Sequence, residues 1–181
     1  NNSEEGFTSA SENISGNIGI YAVGTKASAI AENITISSDM YAALYAYNGG
    51  VINVGGDSTK SVIITSTSDG INAVNLEKKG AVSVKASESV SIVSDTFALW
   101  AQNGTQSTQA PESHSSITVE APTISIEGKE EAIVAFSNGE INVTGNATIK
   151  GGSALIDTRG YASVNINRDN SNATTVLEGD I

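Results

Sequence analysis

The chain has 181 residues, with 9 basic and 20 acidic side chains and a formal net charge of -11. Phosphate binding is driven by Lys and Arg releasing counterions, so this balance argues against a nucleic-acid partner and against a polybasic membrane anchor. Cysteine is absent, which excludes a disulfide framework and thiolate chemistry.

Ser, Thr, Asn and Gly supply 76 of the 181 residues. That composition can signal disorder, yet 39% of the residues are hydrophobic and fall in short, regular packets. No apolar run approaches the roughly 20 residues of a membrane-spanning helix. The opening Asn1-Asn2-Ser3-Glu4-Glu5 carries no secretory signal and reads as a mature or excised segment.

The packets recur along the chain. Residues 1–18 are expected to form a partial coil or cap. Gly19-Ile20-Tyr21-Ala22-Val23 opens the first unit and Ile34-Thr35-Ile36 closes it. The fullest copy runs through Ala42-Ala43-Leu44-Tyr45-Ala46-Tyr47, the turn Asn48-Gly49-Gly50, then Ile52-Asn53-Val54 and Val62-Ile63-Ile64. A slide of thirty residues reaches Gly70-Ile71-Asn72-Ala73-Val74, then Val82-Ser83-Val84 and Val90-Ser91-Ile92. Phe97-Ala98-Leu99-Trp100-Ala101 follows, then an insertion from Asn103 to Ser116 and the packet Ile124-Ser125-Ile126. Ala132–Val143 with Thr148-Ile149, and Ala154-Leu155-Ile156 with Val164-Asn165-Ile166, complete the series.

Apolar–polar–apolar alternation puts both aliphatics on one face of a strand, and β-branched residues suit a pleated surface. Asn48-Gly49-Gly50, Ser68-Asp69-Gly70, Ser94-Asp95, Asn138-Gly139 and Lys150-Gly151-Gly152 read as turns. Alanines 22, 43, 73, 98, 132 and 154 align one repeat with the next. The spacing predicts an all-β chain: a parallel β-helix (solenoid) of about six coils, three short strands each, as one segment over 1–181. Val23, Leu44, Val74, Leu99, Ile133 and Leu155 are the expected inward column of the first strand. An antiparallel sandwich is the alternative architecture.

The frame Gly-Ile-x-Ala-(Val/Leu), then Gly-x-(Ile/Val)-x-Val, then a Ser/Thr-rich strand, resembles passenger domains of bacterial type V autotransporters, the pertactin-like and AIDA-like adhesins. The likeness covers about residues 19–181. It implies a right-handed parallel β-helix and display on the outside of a Gram-negative-type cell, with export through a C-terminal outer-membrane β-barrel of the same polypeptide lying beyond this segment. The expected function is a non-enzymatic surface adhesin whose partner is a host or bacterial surface protein or glycan; a polysaccharide lyase or glycosidase on a β-helix, and a purely structural stalk, are the alternatives.

Candidate sites are few. Serine-protease chemistry needs a His base, and the sole histidine, His114, sits beside Glu112 in the Asn103–Ser116 insertion. A long loop on a repeat scaffold suits binding, so His114 and Glu112 are binding candidates. Tyr45 and Trp100 share an expected outward column, interrupted by Asn75, and form a second candidate. Glycoside hydrolysis needs two carboxylates within about 5–10 Å. Glu131 with Asp157 is the pair to test, although Asp157 is expected in the column of Ala46, Ala101 and Ala135. Gly55-Gly56-Asp57 reads as a turn. No metal site, cofactor or catalytic residue is expected.

Overall fold

The computed structural model describes residues 11–75, 79–103 and 114–179. Its strands in chain order are β1 (Ser11–Gly16), β2 (Ile20–Val23), β3 (Lys26–Ala29), β4 (Asn33–Ser38), β5 (Ala42–Tyr47), β6 (Val51–Gly55), β7 (Ser61–Ser66), β8 (Asp69–Asn75) and β9 (Ala81–Lys85). They continue as β10 (Ser89–Ser94), β11 (Phe97–Asn103), β12 (Ser116–Gly128), β13 (Glu131–Phe136), β14 (Glu140–Gly151), β15 (Ala154–Arg159), β16 (Ser163–Ile166) and β17 (Thr175–Gly179). No helix occurs among the described residues.

Every strand pair among the described residues is parallel, which removes the antiparallel sandwich. The strands form two sheets, one of six and one of eleven. The smaller follows the order β15-β13-β11-β8-β5-β2. The larger holds two columns, joined where β12 and β14 each run the length of two short strands.

The aliphatics that alternate in sequence meet between the sheets. One column stacks Ile14, Ile36, Ile64, Ile92, Ile126, Ile149 and Leu177. Its neighbour on the same strands runs Ile34, Val62, Val90, Ile124 and Ala147. The other half of the larger sheet contributes Ala27, Ile52, Val82, Ile117, Ile141 and Val164, with Ala29, Val54, Val84, Val119, Val143 and Ile166 beside them. The middle members of these columns are fully buried in one core. β-Branched side chains fill such ladders because their one preferred rotamer repeats from strand to strand.

The six-stranded sheet departs from the expected register. Its inward column is Ile20, Leu44, Ile71, Leu99, Ile133 and Ile156. Val23 and Val74 instead pair with Tyr47, three residues further on, and Leu155 gives way to Ile156. The alanine frame divides into two sets. Ala22, Ala46, Ala73, Ala101 and Ala135 form one column, ending at Thr158. Ala43, Ala98 and Ala132 precede the inward residues and are wholly buried. Asp69-Gly70 is not a turn but the start of β8, and Lys150-Gly151 ends β14.

Corners use the residues that tolerate positive φ: Asn48 (φ 42), Gly49 (φ 86) and Asn138 (φ 68). At Gly50 the requirement is space, since a Cβ there would lie 1.9 Å from the Ala22 carbonyl oxygen. Charged corners alternate in sign along the stack. Lys60 pairs with Glu32, and Lys85 bridges Asp57 at 3.0 Å and Glu120 at 3.1 Å. Lys150 meets Glu178 at 2.9 Å. Hydrogen bonds to these carboxylates, before their charge, hold all three ammonium groups above the ordinary lysine range.

Candidate binding surfaces

The outer face of the six-stranded sheet carries most of the aromatic side chains. Tyr21, Tyr45, Asn72, Trp100, Val134 and Asp157 occupy one outward column. Tyr45 and Trp100 therefore share a column as expected, but Asn72 rather than Asn75 separates them. Asp157 lies in this aromatic column and not among the alanines. Asn72 follows the three-residue shift seen at Val23 and Val74, whereas Asp157 follows the one-residue shift that replaces Leu155 by Ile156.

Four of the five tyrosines gather at one end of this face. Tyr21 and Tyr45 stack with centroids 5.2 Å apart and planes 15° apart. Tyr41 and Tyr47 tilt against Tyr45 at 5.2 and 5.6 Å. The Tyr21–Tyr45 separation and small interplanar angle are those of an offset stack. Such pairs add about 0.5–1.5 kcal/mol each beyond burial. Burial, then a hydrogen bond with Tyr41, then the surrounding tyrosines push the Tyr45 hydroxyl far above the ordinary phenol range. The cluster stays open at its margin: Tyr21 is 51% exposed, Tyr41 48% and Met40 67%.

A polar inlay follows. Asp69 and Asn72 are buried although both belong to this outer face. Asn72 Nδ2 donates to Asp69 Oδ2 at 2.9 Å, and Thr96 Oγ1 donates to Asp69 Oδ1 at 2.5 Å. Asn72 Oδ1 and Trp100 Nε1 are buried without a hydrogen-bond partner. Beyond them Trp100 meets Phe97 edge-on at 5.0 Å and Phe136 at 6.3 Å. The Arg159 guanidinium lies 5.0 Å from the Phe136 ring centre, a cation–π contact.

The carboxylate pair considered for glycoside hydrolysis sits at this end. Asp157 is engaged by Arg159 two residues along its own strand, at 3.1 Å from Nε and 2.5 Å from Nη2. Glu131 is held above the usual carboxylate range, first by burial and then by the Asp157 charge, with Arg159 opposing. A raised folded-state pKa means the folded chain binds the proton more tightly than the unfolded chain. That contribution is complete below the unfolded value of about 4.3 and is lost as pH rises through the folded value. Glu131→Gln is therefore expected to raise the melting temperature at pH 7. In thermal melts across pH, the gain should fade toward pH 4.

His114 lies on another surface, two residues before β12. Its Nδ1 is 3.9 Å from Glu140 Oε2, because Ser116 pairs with Glu140 in the adjacent strand. Glu112 and most of the Asn103–Ser116 insertion lie outside the described residues. The structure thus does not join His114 to Tyr45 and Trp100. His114 instead approaches an amide ladder that sequence reasoning missed. Asn165 Nδ2 donates to Asn142 Oδ1 at 2.9 Å, and Asn142 Nδ2 donates to Glu140 Oε1 at 3.0 Å. The one available signal was Asn at the centre of two aligned packets, Ile141-Asn142-Val143 and Val164-Asn165-Ile166. At the Gly55-Gly56-Asp57 turn, Gly55 has φ 75 and Asp57 pairs with Lys85. Among the described residues no three His, Cys, Asp or Glu side chains gather as a metal site.

A scan of protein-family models, a search of curated proteins and a search of solved structures each return no match to this chain.

Proposed function

We propose that the chain is a surface-displayed, non-enzymatic adhesin segment, wound as a right-handed parallel β-helix of about six coils. One observation carries the binding role: the open tyrosine cluster of Tyr21, Tyr41, Tyr45 and Tyr47, edged by exposed Met40 and Val23. Exposed apolar patches rimmed by polar residues mark interaction surfaces. Tyrosine brings large contact area at low entropic cost, with a hydroxyl for hydrogen bonding. The winding is supported by each strand pairing in parallel with its counterpart one repeat later. The resemblance to autotransporter passenger domains supplies the route: export to the cell surface through a β-barrel of the same polypeptide. The partner is a surface protein or glycan of a host or of a neighbouring bacterium. Asp157, engaged at both oxygens by Arg159, has less freedom to act as a catalytic acid.

The test is adhesion of the purified chain to cells, matrix proteins and arrayed glycans. Tyr21→Ser with Tyr41→Ser should weaken adhesion at least about tenfold; it also removes both ring contacts to Tyr45, about 1–3 kcal/mol, so adhesion is compared at a temperature where thermal melts show both chains fully folded. No adhesion by the parent chain, or undiminished adhesion by the double variant, would overturn the reading.

A further inference from the structure

The outer face of the larger sheet holds a cleft of about 350 Å³, lined by Thr118, Glu140, Asn142, Asn165, Arg168 and Asp169. We infer that this cleft binds one or two rings of a neutral saccharide. Its volume lies at the small end of the range for organic-ligand sites.

The lining selects the ligand class. Val143 also borders the cleft, yet its side chain is buried in the core. No aliphatic side chain is thus offered as the apolar anchor a peptide would need. Glu140 and Asp169 outnumber Arg168 in a chain of net charge -11, so a phosphate, sulfate or acidic sugar meets net repulsion. The Arg168 guanidinium at the rim, with no three-ligand cluster among the described residues, argues equally against a divalent cation. Hydroxyls, amides, carboxylates and a guanidinium remain, which both donate and accept. A polyol matches that alternation.

The site is also held in shape before any ligand arrives. The Asn165–Asn142–Glu140 chain fixes the orientation of both amides and leaves each amide nitrogen a second N–H. Arg168 and Asp169 follow Asn167, whose Oδ1 accepts from the Gly145 N–H at 2.8 Å and whose Nδ2 donates to Thr175 Oγ1 at 3.0 Å. The Asn167 N–H donates to the Val143 carbonyl at 2.8 Å. Pre-organisation reduces the ordering cost of binding. Without a ring to stack on, the affinity should be on the order of millimolar.

The decisive experiment titrates the isotopically labelled chain with galactose, glucose, mannose and N-acetylglucosamine, and in parallel with glucuronate and N-acetylneuraminate, read by NMR. At least one neutral sugar is expected to move the Asn142 and Asn165 side-chain amide signals. Arg168→Ala, exposed and therefore harmless to folding, and Asn142→Ala should each weaken that response about tenfold. Three outcomes would overturn the inference: no neutral sugar moving these signals up to roughly 50 mM, well above the millimolar range; tighter binding of an acidic sugar; or Arg168→Ala responding as the parent does. The tyrosine cluster lies on the other sheet, so Arg168→Ala should leave adhesion through it intact. Failure here therefore leaves the adhesin reading standing.

Discussion

Ile64→Ala is expected to lower the stability of the chain by about 3–4 kcal/mol, read as an earlier midpoint in urea unfolding with little change in slope. Ile64 is fully buried and is stacked between Ile36 and Ile92. Strands on both sides and the opposite sheet hold their backbones in place, so the site cannot collapse around the lost atoms. The cost should therefore include most of the cavity term, not the transfer term alone. The same change at Ile14, half-buried on the outermost strand of the column, should cost about 1–2 kcal/mol. Equal losses at the two positions would contradict a continuous column whose middle members are sealed by their neighbours.

Gly145→Ala should cost about 3 kcal/mol or more, the range of a backbone forced out of its native conformation. Gly145 has φ 145, a region that L side chains rarely adopt. A Cβ there would come within 1.7 Å of the Ala121 carbonyl oxygen. It sits where β12 and β14 lose register between Glu120 and Thr123, so relief would require the two longest strands to part. For a chain of this size a 3 kcal/mol loss lowers the melting temperature by about 6–12 °C. Gly56→Ala is the control: a Cβ at Gly56 meets nothing within 4 Å, and its melt should match the parent's. Because the Gly145 N–H also holds Asn167, this variant should weaken any sugar response in the neighbouring cleft as well.

Much of the architecture is legible in the residues. Ile34-Thr35-Ile36, Val62-Ile63-Ile64 and Val90-Ser91-Ile92 alternate cleanly, and each central polar or exposed residue fixes which neighbours face inward. Their pairing follows the alignment read from sequence, residue for residue. The first strand of the units resisted because in three of them alanine occurs twice, three residues apart: Ala43 and Ala46, Ala98 and Ala101, Ala132 and Ala135. Two alanines make two plausible registers, and the thirty-residue slide joined one set to the other. The inward Leu44–Ile71 match would have resolved it. Gly70 misled for another reason. It is small because a Cβ there would lie 2.6 Å from the Ala98 carbonyl oxygen, a packing demand indistinguishable in sequence from a turn. The amide ladder at Asn142 was hidden by composition: with 17 asparagines in the chain, a pair that touches across strands looks like any other pair.

The uniformity of the isoleucine column sets a problem for assembly. When Ile36, Ile64, Ile92 and Ile126 present the same shape to successive neighbours, docking a strand on the wrong rung yields nearly the same hydrophobic contact. Something less repetitive must index the rungs. The unequal corners do so. Lys85 between Asp57 and Glu120, Lys150 opposite Glu178, and the Asp69–Asn72–Thr96 set differ from rung to rung. Their exposed members add little to final stability; their effect falls on the alternatives, where a one-rung slip would abut like charges or strand a buried carboxylate. Neutralising the exposed Lys85 and Lys150 pairs should leave the melting temperature almost unchanged while slowing refolding through misthreaded states.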